Sequence, residues 1–148
     1  MRHHVILCFC TAVILIVKAN IVLAVGETAE QKQQQIVQQY IQAFNAQDTE
    51  AMLKMVTSDV QWLSIDGETI AKESNSKEEL RIGMQSYFES CKSCRSRLAG
   101  MFSTGSRVSA VEIASYQTNN GKKEQSSVSV YEFSGDLIKR VYYFPSDN

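Results

Sequence analysis

The chain has 148 residues, with 15 Lys and Arg against 16 Asp and Glu, two His, four Cys and one Pro. That length fits one domain. A formal net charge of −1 without a basic run excludes the phosphate-neutralising surface that nucleic-acid binding requires.

Met1-Arg2-His3-His4 is a short basic start. An apolar run from Val5 to Val17 follows, interrupted by Thr11 and closed by Lys18. Ile21-Val22-Leu23-Ala24 puts branched or small residues before a cut after Ala24. This pattern predicts a secretory signal peptide over 1–24 and a domain over 25–148, exported to the periplasm or fully secreted. The alternative is a retained anchor, since Val5 to Val25 approaches the roughly 20 apolar residues that span a bilayer. Lys18 and Asn20 count against it. Cleavage leaves no membrane segment and removes His3, His4, Arg2 and Lys18, so thirteen basic residues face sixteen acidic ones. Without histidine, no Ser-His-Asp or Cys-His arrangement can be built within one mature chain.

Glu27 to Gln35 is polar and glutamine-rich. Ile36, Val37, Tyr40, Ile41 and Phe44 then fall on one helical stripe that should end near Asn45. Asp48 reads as the N-cap of a short second helix, with Ala51, Met52, Met55 and Val56 inward. Val60 to Gly67 reads as a strand ending in an Asp-Gly turn, and Glu68 to Glu73 as its hairpin partner. Ser76 and Glu79 have the spacing of a capping box, which predicts a third helix with Leu80, Met84, Tyr87, Phe88 and Cys91 on one face.

From Arg97 the period changes from helix to strand. Leu98 to Ser103, Val108 to Tyr116, Ser126 to Phe133 and Leu137 to Phe144 are predicted as strands of an antiparallel meander, separated by Gly- and Asn-rich turns. Pro145 ends the last one. Helices grouped before a run of strands mean an α+β fold.

Cys91 and Cys94 are the only cysteines outside the first 24 residues. In an exported chain the first expectation is a local disulfide. A redox site would want the motif opening a helix, whereas here it closes one. No metal site is expected, because zinc would need two further ligands that the mature chain lacks.

Tyr40-Ile41-Gln42-Ala43-Phe44-Asn45-Ala46-Gln47-Asp48, Ser58-Asp59-Val60-Gln61-Trp62 and Val130-Tyr131-Glu132-Phe133-Ser134-Gly135-Asp136-Leu137-Ile138 resemble the nuclear transport factor 2-like superfamily, in particular SnoaL-like domains. The resemblance implies a cone-shaped, curved, antiparallel or mixed sheet wrapped around three helices, with a ligand in the open end. It places Tyr40, Phe44, Trp62, Ser64, Asp66, Ser129, Tyr131, Val141 and Tyr143 toward that cavity, along with Ala110, Glu112 and Ala114. Period-2 alternation groups each strand's set but does not say which face is inward.

The ketosteroid isomerase pattern is only partly present. Tyr40 falls at that pattern's hydrogen-bond-donating tyrosine, while Ser64 and Ser129 occupy the positions of its general base and its protonated aspartic acid. Asp66 shares a face with Ser64 and could be a displaced base, although aspartate is also common at a hairpin turn. Glu112 stands in a small, apolar strand. Inside a cavity it could act as acid or base; the commoner place for a strand glutamate is solvent.

The resemblance implies an exported domain that binds a small hydrophobic molecule without a cofactor. Two alternatives stand beside it. One is a cofactor-independent isomerase, cyclase or hydratase with Asp66 or Glu112 as base and Tyr40 as donor. The other is a protein-interaction module that forms a homodimer through the outer sheet face.

Overall fold

The structure, a computed structural model, describes residues 26–146. The predicted signal segment lies outside the described residues. The elements in chain order are α1 (Ala29–Ala46), α2 (Thr49–Lys54), β1 (Val56–Asp66), β2 (Thr69–Ser74), α3 (Lys77–Ser90), β3 (Arg95–Thr104), β4 (Arg107–Thr118), β5 (Gly121–Ser134) and β6 (Leu137–Phe144).

Helix α1 begins well before its apolar stripe. Thr28 caps it, with a reciprocal bond between Thr28 and Gln31 that satisfies two otherwise orphan backbone donors. The polar glutamine run is therefore helical. The stripe at Ile36, Val37, Tyr40 and Ile41 is buried as its spacing requires. Gln47, at φ 56°, ends the helix in the left-handed region. Asp48 then caps α2 by accepting from Ala51 N at 2.9 Å. Helix α2 is shorter than its apolar pattern suggested: Val56 is buried on a strand, not on the helix.

The capping box of α3 is half formed. Ser76 Oγ accepts from Glu79 N at 3.1 Å. Glu79, however, reaches past Ser76 and accepts from Asn75 N at 2.7 Å.

The six strands form one sheet in the order β2-β1-β6-β5-β4-β3. All neighbours are antiparallel except β1 and β6, which run parallel. The sheet is thus mixed: the hairpin β1–β2 attaches to the last strand of the meander. Ile138 N donates to Met55 O at 2.9 Å at that junction. Two-residue turns close the hairpins, and Gly67 and Gly135 take positive φ at the first loop position of theirs. Register irregularities in β1–β2, β1–β6, β3–β4 and β5–β6 bend the strands.

The helices cover one face, and the core forms between them. Val37 and Tyr40 of α1 and Met52 of α2 meet Val60, Val108 and Ile138 from the sheet, all at most 1% exposed. Phe44 of α1 packs against Tyr87 and Phe88 of α3 with ring centroids 5.8 and 5.3 Å apart. On the opposite face, Val111, Val128 and Phe144 are in register across three strands and exposed. Among the described residues no helix is long and apolar enough to cross a membrane.

Asp48→Ala should cost about 1 kcal/mol through loss of the α2 cap. The expected result is a lower urea midpoint with an unchanged m-value; an unchanged midpoint would show that the cap contributes nothing.

Candidate functional site

A cavity of about 400 Å³ opens between α1, α3 and the concave face of the sheet. Its apolar wall comes from Phe44, Trp62, Leu80, Met84 and Tyr143. Trp62 and Ser64 are two apart on β1, and Ser64 is paired with Tyr143 of β6, so the period-2 rule puts all three on the inner face.

Glu112 of β4 lies at one end of this cavity and is 8% exposed. It lies on the side that the family resemblance implies, and not in solvent, the commoner place for a strand glutamate. Its neighbours two residues away, Ala110 and Ala114, share the inner face, and the outward residue is Val111. Tyr131 of β5 donates its hydroxyl to Glu112 Oε1 at 2.6 Å. Ser96 of β3 donates to Oε2 at 3.1 Å. Ser96 is in turn fixed to α1: Asn45 Nδ2 donates to Ser96 O, and Ser96 N donates to Asn45 Oδ1, both at 2.7 Å. Three strands and a helix end therefore hold one carboxylate.

Tyr40 and Tyr131 stand edge to face, with centroids 6.2 Å apart. Burial pushes the Tyr131 hydroxyl well above the ordinary phenol value, and the Glu112 charge adds to the shift. Tyr40 is raised for the same two reasons in the same order. Both stay protonated at neutral pH, so each has a proton to donate. Tyr131 spends its proton on Glu112, but the buried Tyr40 hydroxyl has no partner among the described residues. Ser74 and Ser127 also line the cavity with buried, unpartnered hydroxyls.

Eight of the twelve residues expected to face the cavity line it: Tyr40, Phe44, Trp62, Ser64, Glu112, Ala114, Tyr131 and Tyr143, whereas Ala110, 2% exposed, does not. Nor do Ser129 and Val141. Each is 1% exposed and packs in the core beneath the cavity. Asp66 also falls outside it, because it is the exposed last residue of β1, paired with Thr69 across the turn. A base at that position would face water and not the cavity.

Sequence reasoning missed Ser96 because the polar run Arg95-Ser96-Arg97 hides the start of β3. It missed Ser127 although alternation from Ser129 and Tyr131 puts Ser127, and not Ser126, on their face.

Cys91 and Cys94 form a disulfide, with Cα atoms 5.4 Å apart. It closes the turn between α3 and β3, and Gln47 Nε2 donates to Lys92 O in that turn at 3.1 Å. Among the described residues no cluster of His, Cys, Asp and Glu could hold a metal.

A scan of protein families matches the SnoaL-like domain over residues 37–141. The chain belongs to this family. The match spans α1 to β6 and takes in Tyr40, Glu112 and Tyr131. Solved structures share the nuclear transport factor 2-like fold of this SnoaL-like domain at low identity. An uncharacterised cystatin-fold protein from Novosphingobium aromaticivorans is 22% identical with a TM-score of 0.65, over 75% of this chain and 96% of that one. A putative polyketide cyclase from Xanthomonas campestris pv. campestris is 21% identical with a TM-score of 0.58, over 80% and 93%. TerC, crystallised with polyporic acid, is 12% identical with a TM-score of 0.67, over 78% and 92%. A search of curated proteins finds no match.

The tyrosine environment gives this SnoaL-like domain a pH dependence. The unfolded chain releases the Tyr40 proton near the ordinary value of 10.0, while the folded protein holds it to higher pH. Stability from the neutral phenol is fully present below pH 10 and is lost as pH rises toward the folded value. Tyr40→Phe deletes a buried hydroxyl that has no partner, so the variant should unfold at an equal or higher midpoint at pH 7. Its alkaline loss above pH 10 should be smaller than the wild type's. Parallel pH curves for the two proteins would contradict the assigned burial.

Proposed function

We propose that this SnoaL-like domain binds a small, mostly apolar molecule in the cone cavity, with an oxygen of that molecule accepting the hydrogen bond that Tyr40 offers. The observation that carries this reading is the buried, unpartnered Tyr40 hydroxyl beside Glu112 in a cavity of about 400 Å³. Concave, mainly apolar sites with a few convergent polar groups are the usual form of small-molecule sites. The polyporic acid crystallised with TerC and the polyketide cyclase assignment of the Xanthomonas protein support it at the level of fold.

A second reading is favoured by the placement of Glu112. A carboxylate in an apolar pocket, facing a free phenol donor, is the pair needed to move a proton next to a carbonyl. Glu112 would take the proton from the carbon, the electron pair would pass to the carbonyl oxygen, and Tyr40 would stabilise that oxygen. Returning the proton to another carbon completes an isomerisation without a cofactor. Tyr131 and Ser96 each occupy one lone pair of a carboxylate that has about four acceptor sites, so capacity remains. Asp66, exposed at its turn, has no part in this scheme.

The experiment uses a naphthyl methyl ketone in deuterated buffer, followed by NMR. Binding alone predicts perturbed ligand signals and no exchange of the methyl protons. Catalysis predicts exchange that falls on the order of a hundredfold or more in Glu112→Gln, the usual range for a lost general base. Ligand signals that never change would remove both readings.

Export through residues 1–24 belongs to the same proposal. It is supported by the Cys91–Cys94 disulfide, which suits an oxidising compartment. Protein isolated from its own host should have the intact mass of a chain beginning at Val25, less two hydrogens for the disulfide. A chain retaining Met1 and free thiols would overturn it.

A further inference from the structure

The cavity has a second polar end, far from Glu112 in the sheet order. Strand β2 carries a bulge. Trp62 pairs with Ser74 and Leu63 with Lys72, so Glu73 is the extra residue. Successive residues of a regular strand point to opposite faces. Here both Glu73 and Ser74 line the cavity, as a bulge that re-aims side chains permits. Ser74 is 3% exposed and its hydroxyl has no partner among the described residues. Glu79, at the start of α3, lines the same end, and its bond to Asn75 N ties it to the residue after Ser74. Among the described residues neither Glu73 nor Glu79 has an ion-pair partner.

The opposite edge of the sheet is different. Arg95 of β3 also lines the cavity, but its Nη1 already donates to Lys92 O at 3.0 Å and Cys94 O at 2.6 Å. Its guanidinium is engaged with the disulfide turn. Among the described residues Arg95 has no ion-pair partner either, but backbone oxygens of the turn take up its Nη1, whereas the carboxylates of Glu73 on β2 and Glu79 on α3 meet no cation.

We propose that the bulged end of β2 is a cation subsite, so that the molecule bound in this cavity carries a protonated amine at the end remote from its oxygen. This rests on the small-molecule reading above and adds the chemical class. Glu73 and Glu79 are exposed at the mouth, so an ammonium group held there keeps much of its hydration and avoids the cost of full burial. Its remaining proton can be donated to Ser74 Oγ, which accepts as a hydroxyl does. The apolar body lies between, along Trp62, Leu80 and Met84. An anionic group at this end would meet two like charges.

The test measures fluorescence or calorimetric affinity of the full mature chain for three probes. These are a naphthyl methyl ketone, its aminoethoxy derivative and its carboxymethoxy derivative. Two carboxylates at a partly screened mouth should favour the amine over the neutral ketone by about tenfold. The Glu73→Gln/Glu79→Gln double variant, altered only at exposed side chains, should bring the amine down to the neutral ketone and leave the latter unchanged. Equal binding of amine and neutral ketone, or a preference that survives the double variant, overturns the subsite and leaves the cavity reading standing. Tightest binding of the carboxylate, lost in Arg95→Gln, overturns it and moves the charged end to β3. Failure of all three probes to bind overturns the subsite and the cavity reading together.

Discussion

The concave side of this domain is organised by the burial of one carboxylate. An ionised glutamate taken from water without partners would cost many kcal/mol. Glu112 survives because Tyr131 and Ser96 each donate to one of its oxygens, and hydrogen bonds to a charged group contribute about 1.5–3 kcal/mol each. Those donors come from β5 and β3, on either side of Glu112 on β4. The pairing register of three strands is therefore fixed by more than backbone bonds, since a slip of one residue would turn Glu112 outward and Val111 inward. The small pair Ala110 and Ser129, in register one inner-face row from Glu112, leaves room for the Tyr131 ring to reach back to it.

The rest of the inner surface follows from that anchor. Asn45 locks Ser96 to the end of α1, and the disulfide turn joins α3 to β3 one step away. The β3 side of the cavity is thereby tied to both α1 and α3. The β2 side is an edge strand whose outer neighbour is solvent, and its bulge places Glu73 beside Ser74. Edge strands commonly carry bulges and charges that discourage pairing with another chain. The same device here turns polar groups toward the cavity. The charge placement along the opening thus reflects sheet order, in which β2 and β3 are the two extremes.

Much of the fold was legible in the sequence for physical reasons that can be named. The stripe from Ile36 to Phe44 has helical spacing, Asp48 is an N-cap, and Gly67 and Gly135 mark turns that need positive φ. The Thr28-Gln31 capping box was equally visible and would have started α1 in the right place. The parallel contact of β1 with β6 was not legible, because nothing local records a pairing between residues 56–64 and 138–143. The inward turn of Glu112 was implied by the family resemblance but not legible from alternation. Alternation on β4 sorts Glu112 with Ala110 and Ala114, yet small residues suit either face, and the decisive partner, Tyr131, lies 19 residues on. The Glu73 bulge breaks the period-2 rule itself, so a rule built on that period had to miss it.

The site's emptiness of histidine and its surplus of unpaired hydroxyls belong together. With no histidine after His4, the cavity works with phenols, serines and carboxylates. Among the described residues three of those hydroxyls, on Tyr40, Ser74 and Ser127, are buried without partners, as are polar atoms of Gln33, Thr57 and Ser129 outside the cavity. Each such group costs roughly 1–3 kcal/mol when left unsatisfied in a folded protein. A domain shaped by stability alone would have replaced them with Phe, Ala or Val of similar volume. The three that line the cavity put destabilised polar atoms where the fold is concave, and proteins commonly hold such cost at functional sites. A molecule that accepts from Tyr40 and engages the serines returns part of this cost on binding. Ligand affinity and domain stability are then linked through the same atoms.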